Sequence, residues 1–164
     1  MHRQLTAQDL NYSLLENGFI TIQAMSNTFE EKLTAKQIRP TAMRLLVLET
    51  LSRQESAISL SELEKSFGKS DRITLYRALK TFEEKGLVHS IDDGTGAPKY
   101  ALCPDGCNCD IATDLHVHFH CNVCGETFCL PSYKIPAFSL PERFRADSAN
   151  VVIKGACARC IQAG

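Results

Sequence analysis

The chain has 164 residues, 44% hydrophobic content and a formal charge of -1, enough to bury a core in one domain or two small ones. The near-zero charge argues against an indiscriminate nucleic-acid binder, which carries a broad basic field, but leaves room for a local basic patch. The N-terminus lacks the basic start, apolar run and small-residue cleavage site of a leader, and no apolar stretch is long enough to span a bilayer. A cytoplasmic location with no membrane partner is therefore expected. In a reducing compartment eight cysteines are better read as metal ligands or redox pairs than as disulfides.

Residues 1–25 form a weakly periodic extension that ends at Met25 and reads as an appended helix, a flexible tail or an upstream start. From Ser26 to Phe82 apolar residues recur at helical spacing, as with Leu45, Leu48 and Leu51 or Leu75, Leu79 and Phe82. Pro40 opens a helix over "TAMRLLVLETL", Ser59 or Ser61 caps the next, and "GKSDR" turns into "ITLYRALKTFEEKG", which Gly86 ends as a left-handed cap. "LVHSIDDGTGAPKYAL" then reads as a β-hairpin around a Gly/Asp-rich turn. Helices followed by a hairpin over 26–102 is the order of a winged helix-turn-helix, and equally of a small α+β domain with no nucleic-acid role.

The helix beginning near Arg72 bears on that choice. With Leu75, Ala78, Leu79 and Phe82 facing a core, Arg77 and Lys80 fall on the opposite side, with Arg72 and Tyr76 on one shoulder. Arginine can fork onto guanine edges or phosphates, lysine supplies charge, and a tyrosine ring can pack on a thymine methyl. The same residues also make an ordinary solvated helix face, and Glu83 and Glu84 one turn later fit that reading.

Cysteine and histidine crowd the remaining part, residues 103–164. "CNVC" at Cys121 and Cys124 is answered by "CARC" at Cys157 and Cys160. Four thiolates on two CxxC turns make the closed tetrahedral set of a structural zinc, which contributes on the order of 10 kcal/mol of folding free energy. Redox-active pairs are the other use of such cysteines, but no thioredoxin-like βαβ pattern surrounds them. In a strand, His116, His118 and His120 all project to one face, with Val117 and Phe119 on the other. His120 adjoins Cys121, which leaves His116 and His118 as the better candidates for a second metal, with Cys129 returning alongside if the CxxC turn closes a hairpin. No catalytic motif such as HExxH is present, so a zinc hydrolase or thiol oxidoreductase finds little support beside a regulator or a zinc-stabilised adaptor.

Taken together, "IRPTAMRLLVLETL", "ITLYRALKTFEEKGLV", "HVHFHCNVCG" and "CARC" resemble the ferric uptake regulator family of metal-responsive bacterial repressors over about Ser26 to Cys160. The resemblance implies an α+β homodimer: an N-terminal winged helix, then a small α/β dimerisation domain with a four-cysteine structural zinc, bound to a palindromic DNA operator when metal is present. It implies DNA contacts from Tyr76, Arg77 and the basic position Arg39, and a sensing pair at His116 and His118. Ala57 and Ala101 stand where iron- and peroxide-sensing members carry a histidine and an acidic residue. "LVHSI" and "YALC" are instead similar to the zinc uptake regulator branch, which places ligands at His89 and Cys103. Cys129 occupies a carboxylate position of the family. A set drawn from His89, Cys103, His116, His118 and Cys129 mixes imidazole with thiolate and favours zinc over an oxygen-liganded iron or manganese. Iron or peroxide sensing within the same family is the alternative. Cys107 and Cys109 sit in an insertion longer than the resemblance implies, within reach of the same site, where they bind a further metal, replace Cys103 or tune a flexible loop.

Overall fold

A computed structural model of the chain describes residues 28–68, 71–104, 115–136, 139–146 and 149–162. The N-terminal extension through Met25, together with Cys107 and Cys109, lies outside the described residues. A first helix, α1, runs over 28–35 and closes on Gln37, whose φ of 57° lets the Ile38 N–H reach the Leu33 carbonyl at 2.9 Å. After Pro40, the Thr41 hydroxyl accepts from the Arg44 N–H and starts α2 (Ala42–Ser52). Ser59, not Ser61, caps α3 (Leu60–Phe67): it forms a reciprocal capping box with Glu62. Asp71 caps α4 (Arg72–Glu84) by accepting from the Ile73 N–H at 3.0 Å.

Helix α4 buries the stripe its spacing requires, Leu75, Ala78, Leu79 and Phe82. These join Leu33, Val47, Leu48, Leu51 and Leu63 in the core between α1, α2 and α3. Burying a leucine or phenylalanine fully is favourable by about 1.5–3 kcal/mol, so this stripe holds the opposite face of α4 outward. Gly86, at φ 62°, ends the helix and lets the Leu87 N–H return to the Phe82 carbonyl at 2.8 Å. The chain then enters the expected hairpin, β2 (Val88–Ile91) and β3 (Lys99–Leu102), and the two-residue strand β1 (Ile58–Ser59) adds to it in the order β1-β3-β2.

A second sheet has the order β5-β4-β6, from β4 (His116–Cys121), β5 (Thr127–Lys134) and β6 (Val151–Gly155), and is followed by the short helix α5 (Ala158–Gln162). Strand β4 pairs antiparallel with β5 and parallel with β6, which places Val117 beside Leu130 and Val151, and Phe119 beside Phe128 and Ile153. The sheet is therefore two-faced. His116, His118 and His120 are buried, whereas the apolar side stays open, with Ile153 52% exposed and Val151 at the edge of exposure.

The histidine face is buried because the β2–β3 hairpin docks on it. Asp93, in the hairpin turn, has no exposed side-chain surface. Its Oδ2 accepts from the Thr127 hydroxyl at 2.5 Å and lies 3.2 Å from Lys99 Nζ and 3.3 Å from His120 Nδ1. Lys99 Nζ also donates to the Gly125 carbonyl at 2.6 Å, and the Ala57 N–H donates to the Thr127 carbonyl at 2.7 Å. At the tip of the turn, Asn150 Nδ2 donates to the Asp92 carbonyl at 2.9 Å.

Candidate metal centres

Among the described residues, two groups of side chains converge tightly enough to hold a metal ion, and each draws on segments far apart in the chain. The first is Cys121, Cys124, Cys157 and Cys160, whose sulfurs all lie within 4.8 Å of one another. Cys121 ends β4, and the turn after it is held by the Gly125 N–H donating to the Cys121 carbonyl at 2.8 Å. Cys157 and Cys160 flank the start of α5, where the Cys160 N–H donates to the Cys157 carbonyl at 3.0 Å. Sulfurs about 2.3 Å from a tetrahedral zinc are about 3.8 Å apart; Cys124 and Cys157 are separated by 3.9 Å.

Within this cage the backbone favours the thiolate at Cys121. Backbone N–H groups of Cys124, Cys157 and Val123 point at Cys121 and bring its thiol down to about 6. Hydrogen bonding to Cys157 and burial push Cys160 up to about 12. Arg159 pairs with Glu126 beside the cage and lies 5.7 Å from the Phe128 ring centroid.

The second group is His89, His116, His118 and Cys129, again with all four ligand atoms within 4.8 Å. His89 comes from β2, His116 and His118 from alternate positions of β4, and Cys129 from the β5 position opposite His118. His89 Nε2 is 3.1 Å from His118 Nε2 and 3.0 Å from Cys129 Sγ, and His116 Nε2 is 3.3 Å from Cys129 Sγ. Around a tetrahedral zinc two nitrogens sit about 3.3 Å apart and a nitrogen and a sulfur about 3.5 Å apart, so the four donors stand slightly inside the edges of such a site and would reach them by a small outward shift. The residues present fit a tetrahedral zinc.

Burial, reinforced by the adjacent His118 and His116, brings His89 down to about 4, and burial with His116 does the same to His118. Both imidazoles are thus neutral near pH 7 and offer a lone pair. His118 Nδ1 is buried beside the Val151 backbone without a well-formed hydrogen bond.

The fifth residue expected at this site stands apart. Cys103 Sγ is 3.4 Å from His89 Nδ1, the nitrogen turned away from the other three ligands. Cys129 is the sulfur on the inner side.

On α4, Tyr76 and Ile73 are 45% and 58% exposed, and Arg77 is exposed beside them. Arg72 is tied to Glu64, and Lys80 Nζ is 2.7 Å from Glu83 Oε2, so both cations carry carboxylate partners on their own surface. Arg39 is exposed ahead of α2, and its carbonyl accepts from Arg44 Nη1 at 2.9 Å while Arg44 Nη2 reaches Thr81 of α4 at 3.4 Å. Neither Ile73 nor Arg44 was singled out from sequence. The stripe that buries Leu75 and Leu79 already leaves Ile73 outside, whereas the contact of Arg44 with Thr81 depends on how α2 crosses α4.

The sequence profile of the ferric uptake regulator family matches residues 35–144, most of the chain. Among curated protein sequences nothing matches. Solved structures with the same fold include a zinc uptake regulator complexed with zinc and DNA, 23% identical over 86% of this chain and 95% of that one, at a TM-score of 0.60. A zinc-bound manganese uptake regulator is 23% identical over 79% and 98%, at 0.54. The ferric uptake regulator of Vibrio cholerae is 21% identical over 78% and 98%, at 0.52. The profile agrees with the resemblance carried by the helix, hairpin and CxxC motifs: this chain belongs to the ferric uptake regulator family of transcriptional regulators and is not an enzyme.

Proposed function

We propose that the chain is a zinc-responsive repressor of metal-uptake genes that binds a palindromic operator as a metal-loaded homodimer in the cytoplasm. The observation that carries this reading is the set of three imidazoles and one thiol, His89, His116, His118 and Cys129, which takes one ligand from the hairpin next to α4 and three from the second sheet. All four donors are nitrogen or sulfur, the combination that suits zinc better than the oxygen-rich sites of manganese or ferrous iron. Cys121, Cys124, Cys157 and Cys160 hold a permanent structural zinc.

Residues 26–102 act as a winged helix-turn-helix, with α3 and α4 as its helical pair and β2–β3 as the wing, and residues 103–164 as the dimerisation domain. Tyr76 and Arg77 face the major groove and Arg39 reaches the minor groove. Arg72 and Lys80 contribute by exchanging Glu64 and Glu83 for phosphate oxygens. The open apolar side of the second sheet, around Phe119, Phe128 and Ile153, is the surface for a second copy of the chain. His89, His116, His118 and Cys129 would hold the zinc, which would supply a cross-link between the hairpin and β4 and β5; His89 so held would set the half-site spacing of the two α4 helices.

The test starts from protein holding one zinc per chain. A duplex selected from a random pool is titrated in the presence of Zn2+ or Fe2+. Tight binding with Zn2+ and weak binding with Fe2+ supports the reading; the reverse order identifies an iron- or peroxide-responsive regulator, and equal affinity for random DNA defeats both.

A further inference from the structure

His120 belongs to neither metal group, although it lies on the same strand and face as His116 and His118. We propose that the buried cluster of His120, Thr127, Asp93 and Lys99 is a positioning site, which sets His89 in register with His116, His118 and Cys129 before metal arrives. The inference rests on reading those four residues as the exchangeable site.

The hydrogen bonds close around the Thr127 hydroxyl. Its one proton goes to Asp93 Oδ2 at 2.5 Å, and its oxygen accepts from Lys99 Nζ at 3.2 Å and from His120 Nδ1 at 3.0 Å. A hydroxyl has one donor and two acceptor sites, so Thr127 is saturated and His120 carries its proton on Nδ1. Asp93 is further bound by the Thr95 N–H at 3.0 Å and its hydroxyl at 2.5 Å. Burial disfavours its charge, but the Thr127, Thr95 and Lys99 hydrogen bonds outweigh that and hold the carboxyl far below the usual range.

Such a cluster is a poor source of net stability, because desolvating the Asp93 and Lys99 charges offsets their attraction. Its geometric effect is larger. Asp93 is continuous with β2, which carries His89, and His120 is one strand repeat from His118. The polar cluster and the metal ligands are two rungs between the same two pieces of chain, about 6.8 Å apart along β4. Lys99 adds a tie to Gly125 of the CxxC turn, so the hairpin is referenced to the four-cysteine cage as well. An outer group that orients a ligand typically changes metal affinity by about 10–100-fold.

The experiment uses full-length protein with its structural zinc in place and Co2+ as the probe of the second site, comparing Thr127→Val with Thr127→Ser. Valine keeps the shape and removes the hydroxyl; serine keeps the hydroxyl. The inference expects T127V to weaken Co2+ binding by about 10-fold or more and to broaden the d–d bands, with T127S close to wild type and zinc at one per chain in both. Wild-type affinity and spectrum in T127V overturn it. Where T127V fails to retain its structural zinc, His120→Leu cuts the same link from the other strand and is judged by the same outcomes. Absence of second-site Co2+ in the wild type overturns the reading of the site itself, and this inference with it.

Discussion

His89 Nε2 lies 3.1 Å from His118 Nε2, although the two residues belong to different sheets. Two neutral imidazoles at that distance share a single proton, and a metal ion between them would take both lone pairs in its place. His89→Ala and His118→Ala should therefore each remove Zn2+ from the second site, by more than the 10–100-fold typical of an outer-shell partner, and leave one zinc per chain. Metal content after dialysis against a weak chelator measures it; loss of both zincs would instead place these residues in folding.

The two cysteines around His89 should separate cleanly. Cys129 Sγ is 3.0 Å from Nε2 and Cys103 Sγ is 3.4 Å from Nδ1. With Co2+ at the second site, Cys129→Ser should abolish the sulfur-to-metal charge-transfer band, and Cys103→Ser should keep it. A band lost in C103S would make Cys103 a direct ligand and require His89 to turn over.

Protein without metal at the second site should weaken as pH falls. His89 and His118 titrate at about 4 when folded and at about 6.5 when unfolded. Between those values the unfolded chain binds more protons, so stability rises with pH there. It is fully present above about 6.5 and lost progressively towards about 4. Urea midpoints measured from pH 7.5 to 5.5 should fall for the wild type and stay flatter for H89N/H118N. Identical slopes would mean that the two imidazoles are solvated in the absence of metal.

On the DNA face the prediction is one of contrast. Arg77→Ala should cost about 1–3 kcal/mol of operator binding if the guanidinium contacts a base. Arg72→Ala, whose partner is the half-exposed Glu64, should change folding stability by no more than about 1 kcal/mol. Fluorescence anisotropy against specific and scrambled duplexes decides between base and phosphate contacts, because only a base contact relaxes sequence preference.

Features carried by local periodicity were legible in the sequence: the buried stripe of α4, the Gly86 stop, the hairpin and the common face of His116 and His118 all follow from spacing. The paired CxxC motifs and the His/Cys donors could be read as metal ligands because few other roles suit such residues. Asp93 and Lys99 could not be read as buried. In a Gly/Asp-rich turn an aspartate ordinarily faces water, and its burial here depends on Thr127 and His120, brought to it only when the hairpin docks. Strand β1 was equally invisible, since two residues have no period, and β6 joins β4 through a parallel pairing with no short-range signature.

Strand β4 has one further consequence. From Val117 to Cys121 its residues alternate between the ligand-bearing face and the apolar face. Deleting His120 would turn His116 and His118 outward and drive Val117 and Phe119 beneath the hairpin, so the ligand set and the apolar face would be lost at one stroke. Length changes in this strand are tolerable only in pairs, so a lineage can alter which metal is sensed by exchanging side chains but not by sliding the strand.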